Sequence, residues 1–524
     1  MSSPAVAAAP VATEAPPRAT RRDWVGLAVL ALPCVLYSMD LTVLNLAVPT
    51  LSAQLHPTAA QLLWIVDIYG FLVAGSLITM GTLGDRIGRR KLLLIGAAAF
   101  GGASVIAAMS RTAAMLIASR ALLGVAGATL APSTLSLIRN MFLDARQRSL
   151  AVGVWVASYS AGGAIGPLLG GVMLERFGWS SVFLLSVPVM ALLLVAGPLL
   201  LPEFRDPSAG RLDLPSAALS LVAVLPVIFG LKRLAEGGLS WLAVLSMVFG
   251  VVAGALFIRR QRSLADPLID LALFRAPAFS ISLAIYATAC FVAFGVFFYI
   301  AQYLQLVRGL SPLVAGLWTM PWSLGFIAGS ILSPAIARRV SPAVVMGLGM
   351  ASAAVGLALV SQLDETSPLW LLVVGTSIFS LCGAPVFTLA NDTIISTAPP
   401  ERAGAASAIS ETCAELGGAL GIAILGSLGA AFYRRGMSAP SVPGLPPEAV
   451  EASHGTLGGA VGAASHLPAR LSGELLAAAR GAFIDALEVS IWASAALLLA
   501  GGIVAAVALR RVRARDAGDA GAIG

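Results

Sequence analysis

The sequence predicts an all-α membrane protein of fourteen helices, and three observations carry that expectation. Of 524 residues, 58% are apolar and only 11% charged, whereas soluble domains carry about 25% charged residues. Apolar runs of the length that crosses a hydrocarbon core, about 20 residues, follow one another almost end to end. Lys and Arg collect in alternate gaps between those runs, as the positive-inside rule requires of a multi-pass chain.

Taken in order, the first seven runs lie near 24–49, 61–80, 92–109, 113–137, 148–173, 181–201 and 214–232. Seven more lie near 240–258, 281–305, 313–337, 342–360, 368–390, 406–430 and 482–509. Each is bounded by charged residues or by Pro and Gly, which end or bend helices. With both termini in the cytoplasm of a bacterial cell, the inner side holds 23 of the 33 basic residues, the outer side nine, and Arg120 lies within a helix. Lys232 counts among the outer nine. A missed or extra helix would scramble this asymmetry.

Residues 1–22 form an Ala/Pro-rich tail without an apolar core, which suits disorder better than a signal peptide. Leu83, Ile87, Arg89 and Arg90 after the second run recur as Leu332, Ile336, Arg338 and Arg339 after the tenth. Such a parallel repeat divides the chain into two six-helix bundles, 23–201 and 263–509, with two inserted helices in 202–262. The second bundle carries a long outer loop, 431–481, and a cytoplasmic tail, 510–524, follows. Within the loop, Leu467–Ala482 reads either as a short amphipathic helix on the bilayer or as a disordered connector.

Composition also excludes functions. The net charge of +7 is spread between apolar runs and forms no basic patch with interleaved aromatics, so nucleic acid is not a partner. The four cysteines all fall in apolar runs without CxxC spacing, leaving neither a disulfide framework nor a metal site. No GxxxxGK[ST] loop exists, so ATP hydrolysis does not drive the protein. Catalytic constellations are missing too, so it is not read as an enzyme. The expected partner on this ground is the lipid bilayer; a monomer is the default, and no cofactor is implied.

Ionisable side chains at bilayer depth usually face a bundle interior or a watery path. Here they are Asp40, Asp67, Arg120, Glu411 and Glu415. All three histidines lie in outer loops, so a proton relay would run on carboxylates that open alternately to each side. A guanidinium needs a counter-charge, which pairs Arg120 with Asp40. Glu411 and Glu415, one turn apart, line one face of the thirteenth helix, with Glu415 the more outward. Asp67, flanked by Trp64 and Tyr69, suits a substrate contact or a structural ion pair, as does Glu415. Aromatic residues crowd the ninth and tenth helices, among them Phe294, Phe298, Tyr299, Trp318 and Trp322; such rings hold flat or cationic ligands by apolar contact and cation–π attraction.

Four motifs bring a family resemblance. Gly81, Asp85, Arg86, Gly88, Arg89 and Arg90 between helices two and three resemble the loop 2–3 motif of the major facilitator superfamily. Met39–Pro49 in helix one, Arg120–Gly124 in helix four and the stripe Gly162, Gly166, Pro167 and Gly170 in helix five resemble its fourteen-helix drug:proton antiporter branch. The resemblance covers about residues 23–430. It implies two six-helix bundles plus two extra helices, proton coupling through Asp40, Arg120 and Glu411, and gating by the loop 2–3 residues and the glycine stripe. Asp85 is then expected to reach the positive N-terminal end of helix thirteen. The implied function is proton-coupled export of hydrophobic or cationic compounds such as quaternary ammonium ions, dyes and antibiotics, which makes protons and a small drug-like molecule the implied partners. The alternative is a narrow exporter of one endogenous metabolite, an antibiotic or siderophore. Helix ten lacks the acid common in this branch, which weighs against many divalent cations.

Overall fold

The computed structural model describes residues 18–205, 213–264, 267–399, 402–438 and 442–521; the expected tail over 1–17 lies outside them. Among these residues, fourteen helices are long and apolar enough to cross a membrane. They are α1 (Arg21–Leu55), α2 (Ala59–Ile87), α3 (Arg89–Ala108), α4 (Ala113–Met141), α5 (Ala145–Phe177), α6 (Ser180–Leu200) and α7 (Leu214–Gly237). The others are α8 (Trp241–Ser263), α9 (Pro277–Val307), α10 (Pro312–Ala337), α11 (Pro342–Val360), α12 (Leu369–Thr397), α13 (Ala403–Ser438) and α14 (Ala469–Gly521). Polar residues at the run edges set several starts. Thr20 with Asp23, and Thr58 with Gln61, form capping boxes for α1 and α2. Asp144, Ser240 and Ser311 cap α5, α8 and α10.

Helices α1 to α6 pack as one group, through α1 on α5, α2 on α4 and α3 on α4 and α6. A second group joins α9 to α12, α13 and α14, α10 to α12, and α11 to α12 and α14. The groups meet where α2 packs on α13, α5 on α10 and α1 on α9. The inserted α7 and α8 form a hairpin, and α7 lies along the seam, against both α2 and α13. Asp213 caps α7 and bonds Arg260 of α8 at 2.8 Å. Partial burial pushes its carboxyl up, but hydrogen bonds from Arg260 and Ser216 outweigh this and hold it below the ordinary carboxylate range.

Water does not press helices together inside lipid, so close backbone approach has to do so. Gly162, Gly166 and Gly170 all face α1; a Cβ at Gly162 would stand 2.2 Å from the Val35 carbonyl oxygen, and one at Gly170 2.3 Å from Val43. Across the halves, a Cβ at Gly316 of α10 would stand 2.5 Å from the Pro167 carbonyl oxygen. The sequence stripe thus splits: its three glycines bind α5 to α1 within one half, and Pro167 meets the other half.

Several helices run past their expected ends, among them α2 to Ile87, α12 to Thr397, α13 to Ser438 and α14 to Gly521. The last passes through most of the expected tail over 510–524. Two differences change how a segment or residue is read. α14 begins at Ala469, so Leu467–Ala482 is neither a separate helix nor a connector over most of its length. Leu475, Ala479, Phe483 and Leu487 are buried at helical spacing, and this stripe carries the helix past Arg470, Glu474 and Arg480, whose charges look like loop. The intervening chain forms two short helices, Pro447–Gly455 and Leu457–Ala464. Lys232 is the second difference: it is buried within α7, because that helix continues to Gly237.

Gly162→Ala should force α1 and α5 apart and cost about 1–3 kcal/mol, seen as a lower melting temperature of the detergent-solubilised protein. Gly153→Ala on the same helix, where a Cβ meets nothing within 4 Å, should melt like the parent. Equal melting of the two variants would contradict the packing argument.

Candidate functional site

The halves part at one end of the molecule and close at the other. At the end marked by Asp85, a cavity of about 450 Å³ runs from exposed Arg139 and Ala405 past Asp85 and Trp155 to Glu411. Beyond Glu411 the seam tightens. A Cβ at Gly70 would touch Ala419 at 3.2 Å, and one at Gly426 would meet Leu63 at 2.4 Å. Further along, Gln305 donates to the Leu46 carbonyl oxygen at 3.0 Å, and Glu175 accepts from Leu313 N–H at 3.2 Å.

Between the open and closed ends lies a buried charge network. α4 places Arg120 in the core, 1% exposed, with Nη1 2.5 Å from Asp40 Oδ2 on α1. Its Nε donates to the Ile65 carbonyl oxygen at 3.2 Å, and its guanidinium lies 4.6 Å from the Tyr69 ring centroid. Geometry of this kind is what a charge unable to shed its proton requires. Asp67 on α2 is paired as well, by Lys232 at 2.7 Å, and the ammonium stands 3.8 Å from the Trp64 ring centroid. Trp64, Asp67 and Tyr69, expected to meet substrate, are therefore engaged in two ion pairs within the packed interior.

Glu411 and Glu415 have no ion pair among the described residues. Glu411 lines the 450 Å³ cavity. Glu415, one turn further toward the closed end, accepts a hydrogen bond from Tyr37 Oη of α1 at 2.6 Å. This bond crosses between the halves. Around Tyr37 stand Tyr69 and Tyr159, with ring centroids 6.0 and 5.8 Å away.

A second cavity, about 360 Å³, opens between α5 and the helices α9, α10 and α12. Tyr159, Phe294, Phe297, Trp322, Phe326 and Phe387 line it, and Ala414, beside Glu415, forms part of its wall. Phe294 and Trp322 thus stand where a ligand can reach them. Phe298 and Tyr299 are packed against α13 instead, Tyr299 donating to the Leu425 carbonyl oxygen at 2.8 Å. Trp318 is half-buried against the core and lines neither cavity.

Asp85 departs from its expected partner. Its carboxylate takes Arg89 at 2.5 Å, and the open cavity lies between it and α13. Arg89 also donates to the Pro132 carbonyl oxygen at 3.3 Å. Gly88 ends α2 with φ +112°, and a Cβ there would strike Glu203 at 2.5 Å. That carboxylate caps α3 by accepting from the N–H groups of Arg90 and Lys91 at 3.0 and 3.2 Å. A Cβ at Gly81 would meet Pro132 at an ordinary 3.8 Å, and Arg86 lies in the last turn of α2.

Sequence reasoning missed Tyr37, Gln305, Glu203 and Lys232. Tyr37 had a signal, standing one turn before Asp40 on the same face. Lys232 had one too, as one of two lysines in the chain, inside an apolar run. For Gln305 and Glu203 no local pattern pointed to their partners.

Fourteen spans among the described residues, six on either side of an inserted pair and enclosing a set of intramembrane acids, are the architecture of a membrane transporter. Residues 30–422 match the family model of the Major Facilitator Superfamily, and the chain belongs to that family. It is 42% identical to the multidrug efflux pump LfrA of Mycolicibacterium smegmatis over 95% of this chain and 99% of that one. It is 35% identical to the methyl viologen resistance protein SmvA of Salmonella typhimurium over 91% and 96% of the two chains. Identity to the tetracenomycin C resistance and export protein of Streptomyces glaucescens is 31%, over 93% and 91%. Among solved structures, a bacterial homologue of the human lysosomal transporter Spinster shares the fold, with a TM-score of 0.66 at 16% identity over 94% and 98% of the two chains.

The Arg120 pair yields a stability prediction. Asp40→Ala leaves a buried guanidinium unpaired and should cost about 3–5 kcal/mol, lowering the melting temperature in detergent. Removing both charges, as Asp40→Leu with Arg120→Met, should recover most of that loss. A double variant that melts below Asp40→Ala would contradict the pairing.

Proposed function

We propose that this transporter exports hydrophobic or cationic compounds from the bacterial cytoplasm in exchange for protons. Multidrug efflux is the role named for its relative LfrA, and methyl viologen resistance the one named for SmvA. In this reading both termini and Asp85 lie in the cytoplasm of a plasma-membrane protein, so the described state is open inward. The basic residues crowding the Asp85 end support that orientation.

One observation carries the proton coupling. Of the four acids that the sequence places at bilayer depth, Asp40, Asp67, Glu411 and Glu415, Arg120 and Lys232 compensate the first two, and Glu411 and Glu415 have no cation partner among the described residues. Burying an uncompensated carboxylate is costly, so each takes up either a proton or a cationic ligand. Competition for one charge then makes the two uptakes mutually exclusive, which is negative coupling between sites. Glu411 meets the open cavity, and Phe294 and Trp322 face the aromatic one, where a flat cation gains from ring contact. Closing the inner end and opening the seam at Gly70, Gly426 and Gly316 would carry the ligand across. In this scheme Asp40 and Arg120 hold α1 to α4 as one moving body, and Asp85 gates the inner mouth.

The first test is proton release on adding ethidium to lightly buffered, solubilised protein. The wild type should release protons, Glu411→Gln should release at least about tenfold less, and Asp40→Asn, whose amide oxygen still accepts from Arg120 where alanine cannot, should stay folded yet lose protonophore-sensitive efflux from cells. Equal release from the wild type and Glu411→Gln would remove Glu411 from the exchange, and no release from the wild type would remove proton coupling itself.

A further inference from the structure

The Lys232–Asp67 pair does not belong to either six-helix half alone. Asp67 sits on α2, and Lys232 arrives on α7 of the inserted hairpin. Both side chains are essentially dry, 0% and 1% exposed. The ammonium has the two contacts that an alkylammonium ligand would take: a carboxylate at 2.7 Å and the face of Trp64 at 3.8 Å. An apolar shell of Phe71, Ile228, Ala419 and Ala423 closes round it. A chamber of about 180 Å³ continues along α2 and α7 from Phe71 and Leu225 to Leu416.

We propose that Trp64 and Asp67 form an ammonium-binding site that Lys232, reaching in from the inserted hairpin, already fills. Lys232 is thus a specificity-determining residue: it withholds Asp67 from cationic substrates and leaves them to Glu411 and Glu415. The idea rests on the reading of those two glutamates as the exchanging acids. Trp64 and Asp67 have the composition of a substrate site, yet in this state no substrate is needed to complete them. The tether confines the ammonium to a neighbour of Asp67, so a free ligand competes against a very high local concentration. Tyr69 and Arg120 close the opposite side of α2, which leaves the α7 side as the one from which a cation enters.

The full-length protein in detergent tests this with propylammonium, which has the three carbons and the ammonium that Lys232→Ala removes. Propylammonium should raise the melting temperature of Lys232→Ala saturably, more than methylammonium or propanol does, and leave the wild type unchanged. The rise should vanish in Lys232→Ala combined with Asp67→Asn. If Lys232→Ala is lost on extraction, propylammonium present throughout should recover it. Absence of any rise or recovery, or a rise independent of Asp67, overturns the site. A second arm uses Lys232→Met with Asp67→Asn, a neutral pair of similar volume. Its ethidium affinity should stay within about twofold of the wild type, and a loss of about tenfold or more would show that substrate uses Asp67 directly. Failure of the wild type to release protons would instead strike the exchange reading, which neither arm measures.

Discussion

The pairing of Arg120 with Asp40 is the constraint round which the first half is arranged. A guanidinium keeps its charge in any protein interior, so placing one in α4 at 1% exposure obliges α1 to bring a carboxylate to it. The same group bonds the Ile65 carbonyl oxygen and lies against Tyr69, fixing α2 as the third wall. α5 then follows α1, because Gly162, Gly166 and Gly170 let the two backbones touch. Four helices are thereby locked into one body by one charge and three missing side chains. Tyr37, one turn before Asp40, is carried by that body to its meeting with Glu415.

Contacts between the halves are of another kind. Among the described residues the polar ones are Tyr37 to Glu415, Gln305 to the Leu46 carbonyl oxygen and Leu313 N–H to Glu175, single hydrogen bonds rather than buried ion pairs. A helix-to-helix hydrogen bond in a membrane is worth about 0.6 kcal/mol on average, against several for breaking a buried charge pair. A first half held internally by a buried ion pair, and joined to the second by glycine seams and lone hydrogen bonds, separates from it before it comes apart. That hierarchy is what rocking of rigid halves demands.

Sequence made the fourteen spans legible, because hydropathy and the placement of Lys and Arg are both properties of the chain itself. The Arg120–Asp40 pair was legible for a related reason, since an intramembrane Arg admits few partners. Lys232 was not, because α7 runs five residues past it to Gly237 and its partner lies on a helix 165 residues away. Ring placement was only half legible: on α9 Phe294 and Phe297 reach the cavity, whereas Tyr299, about 140° round from Phe294 at 100° per residue, turns to α13. Phe298, on nearly the face of Phe294 but one turn further along, is buried in the packing. Asp85 shows a further limit. Its motif marks the end of α2, but which cation or helix end it holds depends on how far the halves are apart.

Glu411 and Glu415 look equivalent in sequence, one turn apart on a single helix, and the fold separates them. Four residues of α-helix rise about 6 Å. Over that distance the surroundings pass from a cavity that reaches exposed Arg139 to a seam where Gly70 touches Ala419. Glu415 stands where the seal begins, with its carboxylate tied to the opposite half through Tyr37. In the proposed exchange, whatever neutralises Glu411 arrives by the cavity and changes the charge one turn from that tie. On that reading the charge state of the cavity acid and the strength of the contact between the halves are coupled by distance alone, with no need for a longer pathway through the protein.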